Sequence, residues 1–169
     1  TNMANILIGI SGSIAAYKSV LYIRELCKLG HKCKVIISQG GLNFVTPQLI
    51  SALGCEVYTD QELNLTNPEQ AMLHINLAKW AERFVIAPAS ANLLAKLAHG
   101  HAADLLTEVA LAYGDQTIYI APAMNRQMWQ NARTQTNLNL MKEYVYCIIT
   151  KPINTVDFSN ADPYRYKLS

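Results

Sequence analysis

Asn5-Ile6-Leu7-Ile8-Gly9-Ile10-Ser11-Gly12-Ser13-Ile14 is the stretch on which the reading of the fold turns. Asn5–Ile10 is a short apolar run that predicts a buried strand. From Ile14 to Leu29 apolar residues recur at helical spacing until Gly30 stops them. Strand, small-residue turn and helix together make one βα unit, and the rest of the chain repeats the alternation.

Lys34–Ser38 reads as a second strand, Thr46–Leu53 as a helix with Pro47 in its first turn, Glu56–Tyr58 as a short third strand and Phe84–Ala87 as a fourth. Leu93–Ala98 and Leu105–Tyr113 predict helices, Thr117–Ile120 a strand, Arg133–Glu143 a helix and Tyr144–Ile149 the last strand. Six strands joined by helical crossovers imply an α/β single-domain fold with a doubly wound parallel sheet. The polar span Asp60 to Gln70, with Asn67-Pro68, reads as an exposed loop leading to His74. Residues 1–149 are expected to form the domain, and residues 150–169, rich in Pro, Asn, Asp and Tyr without a clear period, a C-terminal flap or tail.

With 169 residues, one core can bury roughly 70% of the unfolded surface. A hydrophobic content of 51% with 15% charged residues is apolar for such a domain, so surface shared between subunits of a homo-oligomer is expected. The net charge is +2 without a basic run, which leaves no electrostatic footprint for nucleic acid or anionic lipid. Cys27, Cys33, Cys55 and Cys147 lie far apart, with no CxxC, and read as reduced buried thiols of a cytoplasmic protein. The apolar stretches are too short to span a membrane, and Thr1-Asn2-Met3-Ala4 leads into the first strand without an export signal.

Chemistry is expected where strands end. Gly12-Ser13-Ile14 joins the first strand to the first helix, where backbone N–H groups at a positive helix end suit a phosphate. The pattern is neither GxGxxG nor a P-loop, and a capped tight turn explains it equally well. Ser38-Gln39-Gly40 ends the second strand, Ser90-Ala91-Asn92 follows the fourth, and Ala123-Met124-Asn125 follows the fifth. Carboxyl ends of strands border the binding crevice of such sheets, so these segments are expected to face one pocket. Asn125 reads either as the N-cap of a following helix or as a clamp that donates to a substrate carboxylate without adding charge. His74 reads either as a structural histidine or as an acid/base beside the pocket. His99-Gly100-His101 lacks a third ligand at useful spacing, and no metal is assigned.

Gly12-Ser13-Ile14-Ala15-Ala16-Tyr17-Lys18, His74-Ile75-Asn76-Leu77-Ala78-Lys79-Trp80-Ala81, Pro88-Ala89-Ser90-Ala91-Asn92 and Pro122-Ala123-Met124-Asn125-Arg126-Gln127-Met128-Trp129 occur in that order. The chain in this respect resembles the homo-oligomeric flavin-containing cysteine decarboxylases, from about Asn5 to Tyr144. Within that family it is most similar to the phosphopantothenoylcysteine decarboxylases of coenzyme A synthesis. The resemblance implies a Rossmann-like flavoprotein fold, FMN as cofactor, a homotrimer or a dodecamer built from it, and an active site at a subunit interface. Carried over by position, Gly12, Ser13, Ile14, Ser38, Gln39, Gly40 and Phe44 would meet the FMN phosphate region. Ser90, Ala91, Asn92, Leu93 and Ala123 would border the flavin. His74 would be the catalytic histidine, Asn125 would bind the substrate carboxylate, and Met128 would line the substrate site.

The implied reaction removes a proton from a thiol and a hydride from the adjacent carbon, giving a thioaldehyde whose C=S group accepts the electron pair released as carbon dioxide leaves. In the coenzyme A branch the enethiol is then reduced with a proton from a cysteine in a flap carrying Ala-Cys-Gly-Asp, and nothing after Tyr144 reproduces that stretch. Cys147 sits too early and reads as a buried strand residue. The tail from Pro152 to Lys167 is faintly similar to the flap of decarboxylases acting on a peptidyl C-terminal cysteine in lantibiotic precursors, which release the enethiol unreduced. Two rival readings remain. A flavin prenyltransferase would need more basic residues than Arg126 and Arg133 for its pyrophosphate, and a non-catalytic FMN-binding regulatory subunit would be expected to carry long acidic tails.

Overall fold

The computed structural model describes residues 3–62 and 65–148. The flap expected over residues 150–169, and Ile149 at the end of the last predicted strand, lie outside the described residues.

β1 (Asn5–Ile10) and β4 (Arg83–Ala89) form the centre of a six-stranded parallel sheet of order β3-β2-β1-β4-β5-β6, with β2 at Lys32–Ile37, β3 at Glu56–Tyr58, β5 at Ile118–Pro122 and β6 at Val145–Cys147. Ile6 through Ile10 are all buried, as expected for a strand covered on both faces. Their alternation divides the core in two. Ile6, Ile8 and Ile10 face α1 (Ala16–Lys28) and α2 (Pro47–Ser51), packing with Ile23, Leu26 and Ile50. Leu7, Phe84 and Ile86 face the opposite layer, where Leu77, Leu94, Leu106 and Leu138 pack. Those residues come from α4 (Leu73–Trp80), α5 (Ala91–Ala98), α6 (Leu105–Ala112) and α8 (Ala132–Leu140).

α1 begins at Ala16, two residues later than the apolar period suggests, because Ser13 to Ala15 form a turn in which Ala15 N–H donates to Ser13 Oγ. It ends as the glycine predicts. Gly30 has φ of +91°, and the N–H groups of Gly30 and His31 donate to the carbonyls of Cys27 and Leu26, closing the helix.

The segment between β3 and β4 is more structured than the exposed loop read from its polarity. It holds a 3-10 turn at Asp60–Glu62, a short α3 (Pro68–Ala71) capped by Asn67, and α4 carrying His74 in its first turn. The helix expected after Asn125 is the short α7 (Arg126–Gln130), which follows β5. Strand β4 runs two residues past its predicted end to Ala89, because both neighbours bond there: Ser11 N–H donates to the Pro88 carbonyl and Ala123 N–H to the Ala89 carbonyl.

From β1 the chain winds outward through β2 to β3, then crosses back to lay β4 on the other side of β1 and winds outward again. The seam between β1 and β4 is therefore the topological switch point, where connections leave in opposite directions and open a crevice above the carboxyl ends of the strands. Cys147 is buried in β6, opposite Ile120. No helix among the described residues is long and apolar enough to cross a membrane.

Candidate functional site

Ser11, which the sequence reading did not single out, is the residue that joins the two halves of the switch point. It is buried, its Oγ donates to the Pro88 carbonyl at 2.7 Å, and the same oxygen accepts from Ser90 N–H at 2.8 Å. A hydroxyl that donates once and accepts once inside an apolar sheet is satisfied in both roles. Its only sequence signal is a serine ending an apolar run. Ser19 does the same for the helix layer, donating from a buried site on α1 to the Ala87 carbonyl.

The other strand ends are tied to this seam. Ser38 N–H donates to the Ile10 carbonyl at 2.9 Å, and Ser38 Oγ accepts from Gly41 N–H at 3.1 Å, folding the Ser38-Gln39-Gly40 turn against β1. Gly12 and Gly40 meet there: a Cβ on Gly12 would stand 3.1 Å from the Gly40 carbonyl carbon, and one on Gly41 only 2.6 Å from the Ile10 oxygen. These are close approaches of backbone to backbone, and a side chain at either place would fill the turn. Phe44 follows the 3-10 turn Gly41–Asn43 and is half exposed on the same rim.

The N–H groups of Gly12, Ser13 and Ile14 have no hydrogen-bond partner among the described residues. Three successive donors ahead of the positive end of a thirteen-residue helix suit a phosphate. The glycine contact beside it keeps the approach open, so the residues present suit a phosphate-bearing cofactor at this strand end.

Ser90 caps α5, its Oγ accepting from Leu93 N–H at 3.2 Å, with Ala91 half-buried and Asn92 exposed beside it. Leu93 itself is buried in the core. On the next strand, Ala123 is half-buried and Asn125 caps α7, its Oδ1 accepting from Met128 N–H at 2.9 Å. The capping role that the sequence left open is present, and it uses only the carbonyl half of the amide. Met128 lies one turn on, exposed, so Asn125 and Met128 share a face.

His74 stands in the first turn of α4, half-buried, with Nδ1 3.6 Å from Glu108 Oε2. α4 runs antiparallel to the strand it precedes, so its first turn lies toward the carboxyl ends of the sheet. Glu108 was not anticipated. It is held in the first turn of α6 by a reciprocal cap in which Asp104 Oδ1 accepts from Thr107 N–H and Thr107 Oγ1 accepts from Asp104 N–H. The Asp104-x-x-Thr107 spacing carried a helix-start signal, but not the pairing with a residue 34 positions earlier.

His99 pairs with Asn137 at 3.2 Å, and among the described residues no group of three His, Cys, Asp or Glu is arranged to hold a metal ion.

Comparison with known proteins was made on this geometry. The profile of the family described as Flavoprotein matches residues 1–163. A protein of Streptococcus mutans named probable phosphopantothenoylcysteine decarboxylase is 41% identical over 142 residues, covering 83% of this chain and 79% of that protein. The coenzyme A biosynthesis bifunctional protein CoaBC of Haemophilus influenzae is 41% identical over 141 residues, 83% of this chain but 35% of that protein, so the chain spans about a third of its length. Among solved structures, the peptidyl-cysteine decarboxylase EpiD superposes with a TM-score of 0.76 at 31% identity, covering 88% of each chain. The sheet order, the seam at Ser11 and the profile match agree, and the chain belongs to the Flavoprotein family.

Proposed function

We propose that this chain is an FMN-dependent decarboxylase of a C-terminal cysteine moiety, acting on 4′-phosphopantothenoylcysteine to give 4′-phosphopantetheine in coenzyme A biosynthesis. The reading is supported by the N–H groups of Gly12–Ile14, which have no partner among the described residues, by the Ser90 and Asn125 caps that follow β4 and β5, and by His74 facing Glu108. Of the two relatives described above, one is named as a probable phosphopantothenoylcysteine decarboxylase and the other for coenzyme A biosynthesis, which favours this substrate over a peptidyl cysteine.

A single set of three donors matches one phosphate, as FMN carries, rather than a pyrophosphate. Gly12, Ser13 and Ile14 would hold that phosphate, Ser38, Gln39, Gly40 and Phe44 would close its rim, and Ser90 to Leu93 with Ala123 would border the ring. When bound, FMN would take up the hydride from the thiol-bearing carbon and give it back to the enethiol left after carbon dioxide departs, so that no net oxidation occurs.

Carboxylate binding and removal of the thiol proton fall to this chain. Asn125, its Oδ1 engaged by Met128 N–H, turns its NH₂ group outward as a neutral donor for the substrate carboxylate. Neutrality matters, because the carboxylate must leave as carbon dioxide and a cation would stabilise the ground state more than the transition state. His74 moves the thiol proton, with Glu108 opposing the charge that the ring acquires.

The same reading includes assembly as a homotrimer or a dodecamer, in the cytoplasm. Tyr17 and Leu21, at 55% and 57% exposure on α1, and Ile14, at 75% in the turn before it, are exposed apolar residues, and Phe44 and Leu49 add to the exposed apolar surface. Light scattering of the FMN-loaded protein tests the assembly; a monomer at micromolar concentration contradicts it. Reconstitution with FMN and mass analysis of the product from 4′-phosphopantothenoylcysteine tests the activity.

A further inference from the structure

Three of the four cysteines meet at the end of the sheet opposite the crevice. Cys27 lies in the last turn of α1, Cys33 is the second residue of β2, and Cys55 immediately precedes β3. Cys27 Sγ and Cys55 Sγ are 3.6 Å apart, in contact with nothing between them, and the Cys33 thiol interacts with both. Nothing in the proposed decarboxylation uses this cluster.

The three thiols are not equivalent. Cys33 and Cys55 are buried and Cys27 is half-buried at the edge of the same core. Burial, reinforced by the neighbouring thiols, pushes Cys55 up to about 12 and raises Cys33 as well, so both stay protonated at neutral pH. Cys27 is therefore the point of entry for a reagent from solvent. The backbones differ too. Cys33 is fixed in β2 opposite Ile6 of β1, whereas Cys55 follows Gly54, a residue of φ +94° with open space around its α-carbon. Bringing two sulfurs from 3.6 Å to a bond of about 2.05 Å needs a small movement, which falls to Cys55, ahead of β3, rather than to a residue inside a strand.

We propose that Cys27 and Cys55 are a disulfide-forming modification site for oxidants of the hydroperoxide class. The Cys27 sulfur attacks the peroxide, the O–O bond breaks, and Cys27 sulfenic acid forms with release of water or an alcohol. The Cys55 sulfur then bonds to Cys27 Sγ, the S–O bond breaks and the Cys55 proton leaves with the sulfenic hydroxyl as water, so the two electrons lost by the thiols reside in the reduced peroxide. The bond closes a loop containing β2 and α2, which restricts the unfolded chain and raises thermal stability. Because it lies at the amino ends of the strands, it leaves the crevice unchanged.

The test is to expose the FMN-loaded protein to hydrogen peroxide and map peptides without reduction. The proposal expects a Cys27–Cys55 linked peptide, an intact mass lower by about 2 Da for two hydrogens, and a midpoint of unfolding higher by roughly 5–10 °C that dithiothreitol reverses. Cys33→Ala keeps the link, while Cys27→Ala and Cys55→Ala lose it. Should a cysteine variant fail to fold, the wild-type peptide map decides alone. A linkage through Cys33, sulfinic acid at Cys27 without a link, or four thiols still open to alkylation after unfolding overturns it.

Discussion

Glu108 Oε2 stands 3.6 Å from His74 Nδ1, so a carboxylate on α6 faces one nitrogen of the ring on α4 and leaves Nε2 without a partner among the described residues. A carboxylate at Nδ1 favours the tautomer protonated there and frees Nε2 to accept a proton. His74→Asn is expected to lower kcat for decarboxylation by about 10²–10⁴, the usual worth of a positioned acid/base, while the yellow protein keeps its FMN absorbance. Glu108→Gln, which keeps an oxygen acceptor and removes the charge, is expected to cost about tenfold in kcat with KM little changed. Wild-type turnover in His74→Asn contradicts the role.

Asn125→Asp separates the cap from the clamp. An aspartate caps α7 as well as an asparagine does, so thermal stability should hold. The new charge repels the substrate carboxylate by about 4 kcal/mol at a separation of about 4 Å and an effective dielectric constant of about 20. Titration calorimetry with a substrate analogue should show binding weakened by up to about 10³-fold. Unchanged affinity removes Asn125 from the carboxylate site.

Gly41 is the tightest of the rim positions. An added methyl would meet the Ile10 carbonyl oxygen at 2.6 Å, which is backbone and cannot swing aside. Gly41→Ala is expected to cost about 1–3 kcal/mol in urea unfolding and to release FMN during gel filtration. A variant of wild-type stability that retains its flavin would show the turn to be pliant.

The thiol cluster predicts alkaline sensitivity. The folded state holds the Cys55 proton up to about 12, whereas the ordinary value is 9.0. Across that window the unfolded chain binds fewer protons, so stability is full below about pH 9 and falls as pH rises. Tyr58 and Tyr113, also raised by burial, add to the loss above their ordinary 10.0. Urea midpoints measured from pH 7 to 10.5 should decline from pH 9, with a shallower slope in Cys55→Ala. A flat profile contradicts this coupling.

Much of this molecule is legible in its sequence because its sheet is made of apolar runs such as Asn5–Ile10 and Ile118–Pro122, each ended by small residues. The same grammar located the strand-end segments. A short helix escaped it: Pro68–Ala71 completes barely a turn, too little to show a period, whereas Arg126–Gln130 was betrayed only by its Asn125 cap. Leu73–Trp80 has two fully buried residues, Leu77 and Ala78, and so lacks a wide apolar stripe. Pairings across elements were illegible for another reason. Ser11 with Ser90, His74 with Glu108, and Cys27 with Cys55 are set by how the sheet closes, and no local spacing encodes them.

The most direct test of the decarboxylase reading is anaerobic incubation of the FMN-loaded protein with 4′-phosphopantothenoylcysteine, following product mass and flavin absorbance together. The account predicts a product lighter by about 44 Da, one carbon dioxide, with the flavin oxidised at the end. Recovery of unchanged substrate from a protein that has taken up FMN would contradict it.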